Sequence, residues 1–141
     1  MTSDDRAARL ETERVRRVLE DVYVRDMYVK ESREAMSREF DDVFHMLVPE
    51  IDGRRNVPVS VRWDGLAELR SNHPKAISPQ TRFEFPLIDV AGNAAVARVD
   101  VFHDDTPVYS DYVSLYRVDG SWKLVSKVFH AHAMVAPAAD A

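Results

Sequence analysis

Apolar residues recur at helical spacing near the start of the chain. Val15, Val18, Leu19, Val22 and Tyr23 form one stripe, while Glu13/Arg17 and Asp21/Arg25 stand four apart on the other side. This pattern predicts an amphipathic helix over residues 6–29. Residues 31–40 read as a second helix that meets the core through Ala35, Met36 and Phe40. The helical period then gives way to an apolar run, Val43-Phe44-His45-Met46-Leu47-Val48, which reads as a strand closed by Pro49. Asp52-Gly53 and the basic loop Arg54-Arg55-Asn56 turn the chain into a short strand over residues 57–62. Asp64 offers an N-cap to a short third helix carrying Leu66 and Leu69, and the prolines at 74 and 79 mark residues 73–80 as a connector.

Beyond Gln80 every pattern is that of a strand. Phe83, Phe85 and Leu87 alternate with Arg82 and Glu84. Ala97, Val99 and Val101 alternate with Arg98 and Asp100, and two further β-rich runs flank Asp119-Gly120. Helices segregated from a four-strand antiparallel meander predict an α+β fold.

Turn length decides which residues share a face, because a slip of one residue inverts a strand. A three-residue loop Ala91-Gly92-Asn93 sets Phe85 opposite Val99 and Phe83 opposite Val101, whereas a two-residue loop puts Phe85 opposite Asp100. The apolar match favours three. Asp119-Gly120 fits two arrangements. A two-residue turn places Asp111 on the face of Trp122, Leu124, Val128 and His130. A three-residue turn with Gly120 as a bulge sets Asp111 opposite Lys127, Val113 opposite Val125 and Tyr109 opposite Phe129. The pattern leaves both open.

Composition narrows the partners. The 141 residues make one domain, expected over residues 9–133 with flexible tails at 1–8 and 134–141. The net charge of −5 argues against nucleic acid, since nothing would neutralise a run of phosphates. With no cysteine there are no disulfides, thiol nucleophiles or Cys-ligated metals. No segment approaches the length of a membrane span, and the acidic start Met1-Thr2-Ser3-Asp4-Asp5 lacks the features of a signal peptide. The expectation is a cytoplasmic protein that does not engage membranes. Four glycines, none in a phosphate-binding arrangement, and no Gly-x-Ser-x-Gly leave no basis for a nucleotide cofactor or an elbow serine, so cofactor-free chemistry is expected.

Three segments of the last hairpin carry a resemblance: Asp111-Tyr112-Val113-Ser114-Leu115, then Val118-Asp119-Gly120-Ser121-Trp122-Lys123-Leu124, then Lys127-Val128-Phe129-His130. With the helical start and the Phe40-Asp41-Asp42 junction, the sequence resembles the nuclear transport factor 2-like superfamily over roughly residues 10 to 132. That superfamily includes ketosteroid isomerase and the SnoaL-like cyclases, and the nearest branch is the one labelled "putative lumazine-binding". The resemblance implies a cone-shaped α+β barrel, a curved and mostly antiparallel sheet wrapped around three helices, with a pocket between them. It implies that Lys123, Val125, Lys127 and Phe129 point inward, which favours the bulged turn and pairs Asp111 with Lys127 inside. Tyr112, Ser114, Tyr116, Trp122, Leu124, Val128 and His130 would then form an apolar outer face, suited to a homodimer through the sheet. Where the ketosteroid isomerases carry two carboxylates, this chain has Leu47 and Val113/Ser114, so the resemblance does not extend to steroid isomerisation.

On that arrangement Asp111 and Lys127 form a charged pair in a pocket walled by Phe85, Val99, Tyr109, Val113, Val125 and Phe129, with Trp63 at its mouth. Buried charges are costly unless paired, and such pairs serve as acid and base or simply pin the register. Tyr23, near where the isomerases place a helix tyrosine, offers a hydroxyl to a developing oxyanion, or is core with its hydroxyl at the rim. His130 and His45 are further polar candidates. His130, His132 and His103 lack a carboxylate at ligand spacing, so no metal is expected. Together these features point to a cofactor-free isomerase, cyclase or dehydratase acting on a small, largely apolar carbonyl or hydroxyl compound. The alternative is a non-catalytic dimeric ligand-binding or accessory protein.

Overall fold

The computed structural model describes residues 2–29, 34, 40–48, 59–62 and 81–132. Helix α1 covers Ser3–Val18 and runs on as a π-helical segment, Leu19–Val29. It starts earlier than its apolar stripe suggests, because Thr2 and Asp5 form a capping box: the Thr2 side chain accepts from the Asp5 N–H at 3.1 Å and Asp5 accepts from the Thr2 N–H at 3.2 Å. Residues 3–8, expected within a flexible tail, are the first turns of this helix. Val15, Leu19, Val22 and Tyr23 are buried as the periodicity requires. Glu34 is helical, and the rest of the expected second helix lies outside the described residues apart from Phe40, which opens a strand instead. The third helix at Asp64, the Arg54-Arg55 loop, the 73–80 connector and the 134–141 tail also lie outside them.

Six strands follow: β1 (Phe40–Val48), β2 (Val59–Arg62), β3 (Thr81–Ala91), β4 (Ala94–His103), β5 (Thr106–Val118) and β6 (Ser121–Ala131). Their order in the sheet is β2-β1-β6-β5-β4-β3, with β1 parallel to β6 and every other neighbour antiparallel. The curved sheet is open, with β2 and β3 as its edges, so the α+β architecture holds without barrel closure. The helical stripe packs with Phe44, Ala97, Val99, Val101, Val113, Leu115, Trp122 and Leu124 in one buried core. A one-residue slip in β4 or β5 would expose such side chains at about 1.5–3 kcal/mol each.

All three hairpins of the meander close on two-residue turns, with a bulge further along each ladder. The β3–β4 loop has two residues, Gly92 and Asn93, with Ala91 paired to Ala94 and Gly92 at φ +61°. The expected three-residue loop is absent. An extra residue sits instead in a bulge between Glu84 and Leu87, at Pro86, which has no N–H to give the ladder. Phe83 therefore does face Val101, while Phe85 shares the place opposite Val99 with Pro86 in the bulge. Leu87 is exposed, and Ile88 and Val90 take over the inward phase.

At β5–β6, Asp119 (φ +51°) and Gly120 (φ +82°) form a two-residue turn closed by Val118 and Ser121. A bulge then leaves Val125 as the extra residue, because Leu115 pairs with Leu124 while Ser114 pairs with Ser126. Before the bulge Trp122 and Leu124 point into the core; after it Lys127 and Phe129 do. Trp122 and Leu124 are thus core residues, not members of the outer face. Lys123, expected inside, stands opposite exposed Tyr116, and Val125 is only half-buried at the bulge. The register is Asp111 opposite Phe129, Val113 opposite Lys127 and Tyr109 opposite Ala131, two residues from that of the bulged turn but of the same parity. Asp111 and Lys127 consequently share the inner face as diagonal neighbours.

Candidate functional site

Asp111 on β5 is fully buried and Lys127 on β6 is nearly so, with side-chain exposures of 0% and 6%. Their separation, Nζ to Oδ2, is 3.4 Å. The same Oδ2 accepts a 2.6 Å hydrogen bond from the hydroxyl of Tyr23, which reaches it from the π-helical segment across the core. A short O–H···O bond to a carboxylate is charge-assisted and among the stronger hydrogen bonds a protein makes. The Lys127 ammonium lies 5.2 Å from the centre of the Tyr23 ring and 5.3 Å from that of Phe129, within the range where an aromatic face attracts a cation. Tyr109 meets Phe129 edge to face at 5.7 Å. One helix tyrosine, one strand carboxylate and one strand amine are thus gathered on a single carboxylate oxygen. All three can exchange protons, and little water reaches them.

The other sequence candidates divide. Val99 and Val113 are buried beside Asp111, and Phe85, Tyr109 and Phe129 pack against the core from partly buried positions. His45 and His130 are exposed, and Trp63 lies outside the described residues. The Tyr23 hydroxyl, expected as a donor to a developing oxyanion or as a core residue at the rim, donates to Asp111 Oδ2. No metal-binding cluster occurs among the described residues. His130 and His132 meet edge to face at 4.9 Å, and His132 Nε2 lies 3.0 Å from the hydroxyl of buried Ser110, a contact the strand pattern did not bring forward.

A second helix-to-sheet junction went unread in the sequence. Glu11 Oε1 accepts from the indole N–H of Trp122 at 2.9 Å, and Oε2 pairs with Arg14 at 2.8 Å and Arg117 at 3.0 Å. Trp122 chiefly, then the Arg14 and Arg117 charges, hold the Glu11 carboxyl below its usual range against the opposing effect of burial. Arg117 also donates to Asn93 Oδ1 at 2.9 and 3.2 Å, tying the two hairpin turns together. The available signal was spacing: Glu11 stands four residues before Val15, at the head of the buried stripe. A hollow of about 290 Å³ opens beside this junction, between Ala7 and Ala8 of α1 and Val90 and Gly92. It is about three helical turns from Tyr23, not at the Asp111 cluster.

Comparison with known proteins bears on the family and the fold. The profile of a family described as "putative lumazine-binding" matches residues 11–130. None of the curated proteins matches the sequence. Among solved structures, the chain is similar to an NTF2-like protein of unknown function from Shewanella baltica OS155, at 24% identity over 94% of this chain and 97% of the other, with a TM-score of 0.64. A second, from Silicibacter pomeroyi DSS-3, shares 20% identity over 93% and 99% of the two chains, with a TM-score of 0.63. A third, from Methylobacillus flagellatus KT, shares 23% over 94% and 96%, with a TM-score of 0.55.

Proposed function

Because the chain belongs to the "putative lumazine-binding" family of the NTF2-like superfamily, we propose that it is a small-molecule pocket protein working as a cofactor-free acid–base enzyme. Its reaction is an isomerisation, cyclisation or dehydration of a small, largely apolar carbonyl or hydroxyl compound. The observation that carries this reading is the convergence of Tyr23 and Lys127 on one buried oxygen of Asp111. Asp111 takes the proton from a carbon next to the substrate's carbonyl. Lys127 faces the oxygen on which negative charge develops, and Tyr23 fixes the carboxylate in line. Val99, Val113, Phe85, Tyr109 and Phe129 keep the surroundings apolar, so charge movement there is felt strongly.

The family's description supports a small-molecule ligand in general. No described helix is long and apolar enough to cross a membrane. Exposed Val96, Tyr112, Tyr116 and Val128 favour a second copy of the chain against the outer face of the sheet, which sedimentation would reveal as a dimer.

The test needs no knowledge of the natural substrate. In D2O, the wild type accelerates loss of the NMR signals of protons next to the carbonyl in a panel of small apolar ketones. Asp111→Asn, with its fold verified by circular dichroism, does not. Equal exchange by both proteins, or none by the wild type, rejects the enzymatic reading. Ketone binding without exchange leaves a non-catalytic binder.

A further inference from the structure

Arginine supplies most of this chain's positive charge, fifteen residues against four lysines at positions 30, 75, 123 and 127. At the one buried cation of the Asp111 cluster, the residue is nevertheless lysine. A guanidinium would pair more firmly with a carboxylate, but it cannot give up its proton; an ammonium can. At exposures of 6% and 0%, neither Lys127 nor Asp111 has its charge solvated by water. In the step proposed below one proton passes over the 3.4 Å from Nζ to Oδ2, which frees the Nζ lone pair. A neutral amine is a nucleophile, and desolvation beside a proton acceptor is one way lysines are activated.

We propose that Lys127 is the covalent catalyst of this site and forms an imine with a small apolar aldehyde or ketone. The inference rests on the acid–base reading above and names its substrate class. The Nζ lone pair attacks the carbonyl carbon, and the π pair moves to oxygen. That oxygen takes the proton held by Asp111, and Asp111 recovers one from the attacking nitrogen. In the second step Asp111 protonates the new hydroxyl, which leaves as water while the nitrogen lone pair closes the C=N bond. The site begins as an ammonium beside a carboxylate and ends as a protonated imine beside a carboxylate, so the buried charge is unchanged. The rings of Tyr23 and Phe129, 5.2 and 5.3 Å from Nζ, face a cation in both states.

The experiment is reductive trapping of the intact wild-type protein with benzaldehyde or cyclohexanone and sodium cyanoborohydride near neutral pH, followed by peptide mapping. An ordinary lysine is only about one part in a thousand neutral there, so Lys127 is expected to be labelled at least about tenfold faster than half-buried Lys123. Lys127→Arg keeps the cation and loses the label. Labelling spread evenly over positions 30, 75, 123 and 127, or none at 127, overturns the imine. If the wild type still exchanges ketone protons and Asp111→Asn does not, acid–base catalysis survives that result; if exchange is also absent, both readings fall.

Discussion

Two carboxylates join the helix to the sheet, and they are built alike. Glu11 receives an aromatic N–H and two cations; Asp111 receives an aromatic O–H and one cation. The partners differ in what they can release. Around Glu11 stand arginines and an indole, none of which gives up a proton under ordinary conditions, and the carboxylate is 15% exposed at the rim. Around Asp111 stand a lysine and a phenol, and the carboxylate sees no solvent. The first arrangement fixes geometry. The second fixes geometry with groups that carry exchangeable protons, and it buries a charge pair that well-packed apolar residues would match for stability.

The largest expected effect separates the two. Asp111→Ala strands a buried ammonium and a buried phenol, and unfolding in urea is expected to show a loss of about 3–5 kcal/mol. Glu11→Ala removes the acceptor of the Trp122 N–H but leaves its arginines near water, so the loss is about 1–3 kcal/mol. If the two variants lose the same amount, the buried and rim junctions are not distinct. Gly120→Ala meets nothing within 4 Å, so its cost is backbone strain alone at φ +82°, about 1–2 kcal/mol. Ketone exchange at the distant Asp111 cluster should be unaffected by that change.

The smallest effect is in pH dependence. The folded state holds the Glu11 carboxyl below its usual 4.5, so its contribution is complete above that pH and fades as pH falls through the lowered value. Glu11→Gln should remove that fraction of the acid sensitivity while keeping an acceptor for Trp122, which urea midpoints across the acid range would register. An unchanged pH profile would mean that the arginines and the indole do not act on Glu11 in solution.

Much of this was legible in the sequence, and what was not has one cause. The stripe Val15, Leu19, Val22 and Tyr23, the α+β order and the inward placement of Asp111 and Lys127 all follow from periodicity and from the resemblance of the last hairpin. The errors at Leu87, Trp122, Leu124, Lys123 and Val125 all come from bulges. A bulge changes the face of every residue beyond it, yet leaves almost no mark in alternation, because the apolar residues on either side simply exchange roles. Pro86 was the one visible sign, since a proline within a β run points to an edge or a bulge. Nothing comparable marks Val125. The Glu11 junction was missed for another reason: a charged residue at the head of an apolar stripe reads as solvated until its partners, more than a hundred positions away, are known.

The account's central claim is that the Asp111 cluster exists for its protons rather than for its bonds. The paired variant Asp111→Asn/Lys127→Met tests it most directly, because both changes conserve volume and neither leaves a buried charge. Its ketone-proton exchange in D2O should be measured against the wild type after urea unfolding has verified the fold. The predicted result is stability within about 1.5 kcal/mol of the wild type and exchange no faster than in buffer alone. Exchange at the wild-type rate, in a protein that has lost both titratable groups, would contradict the claim.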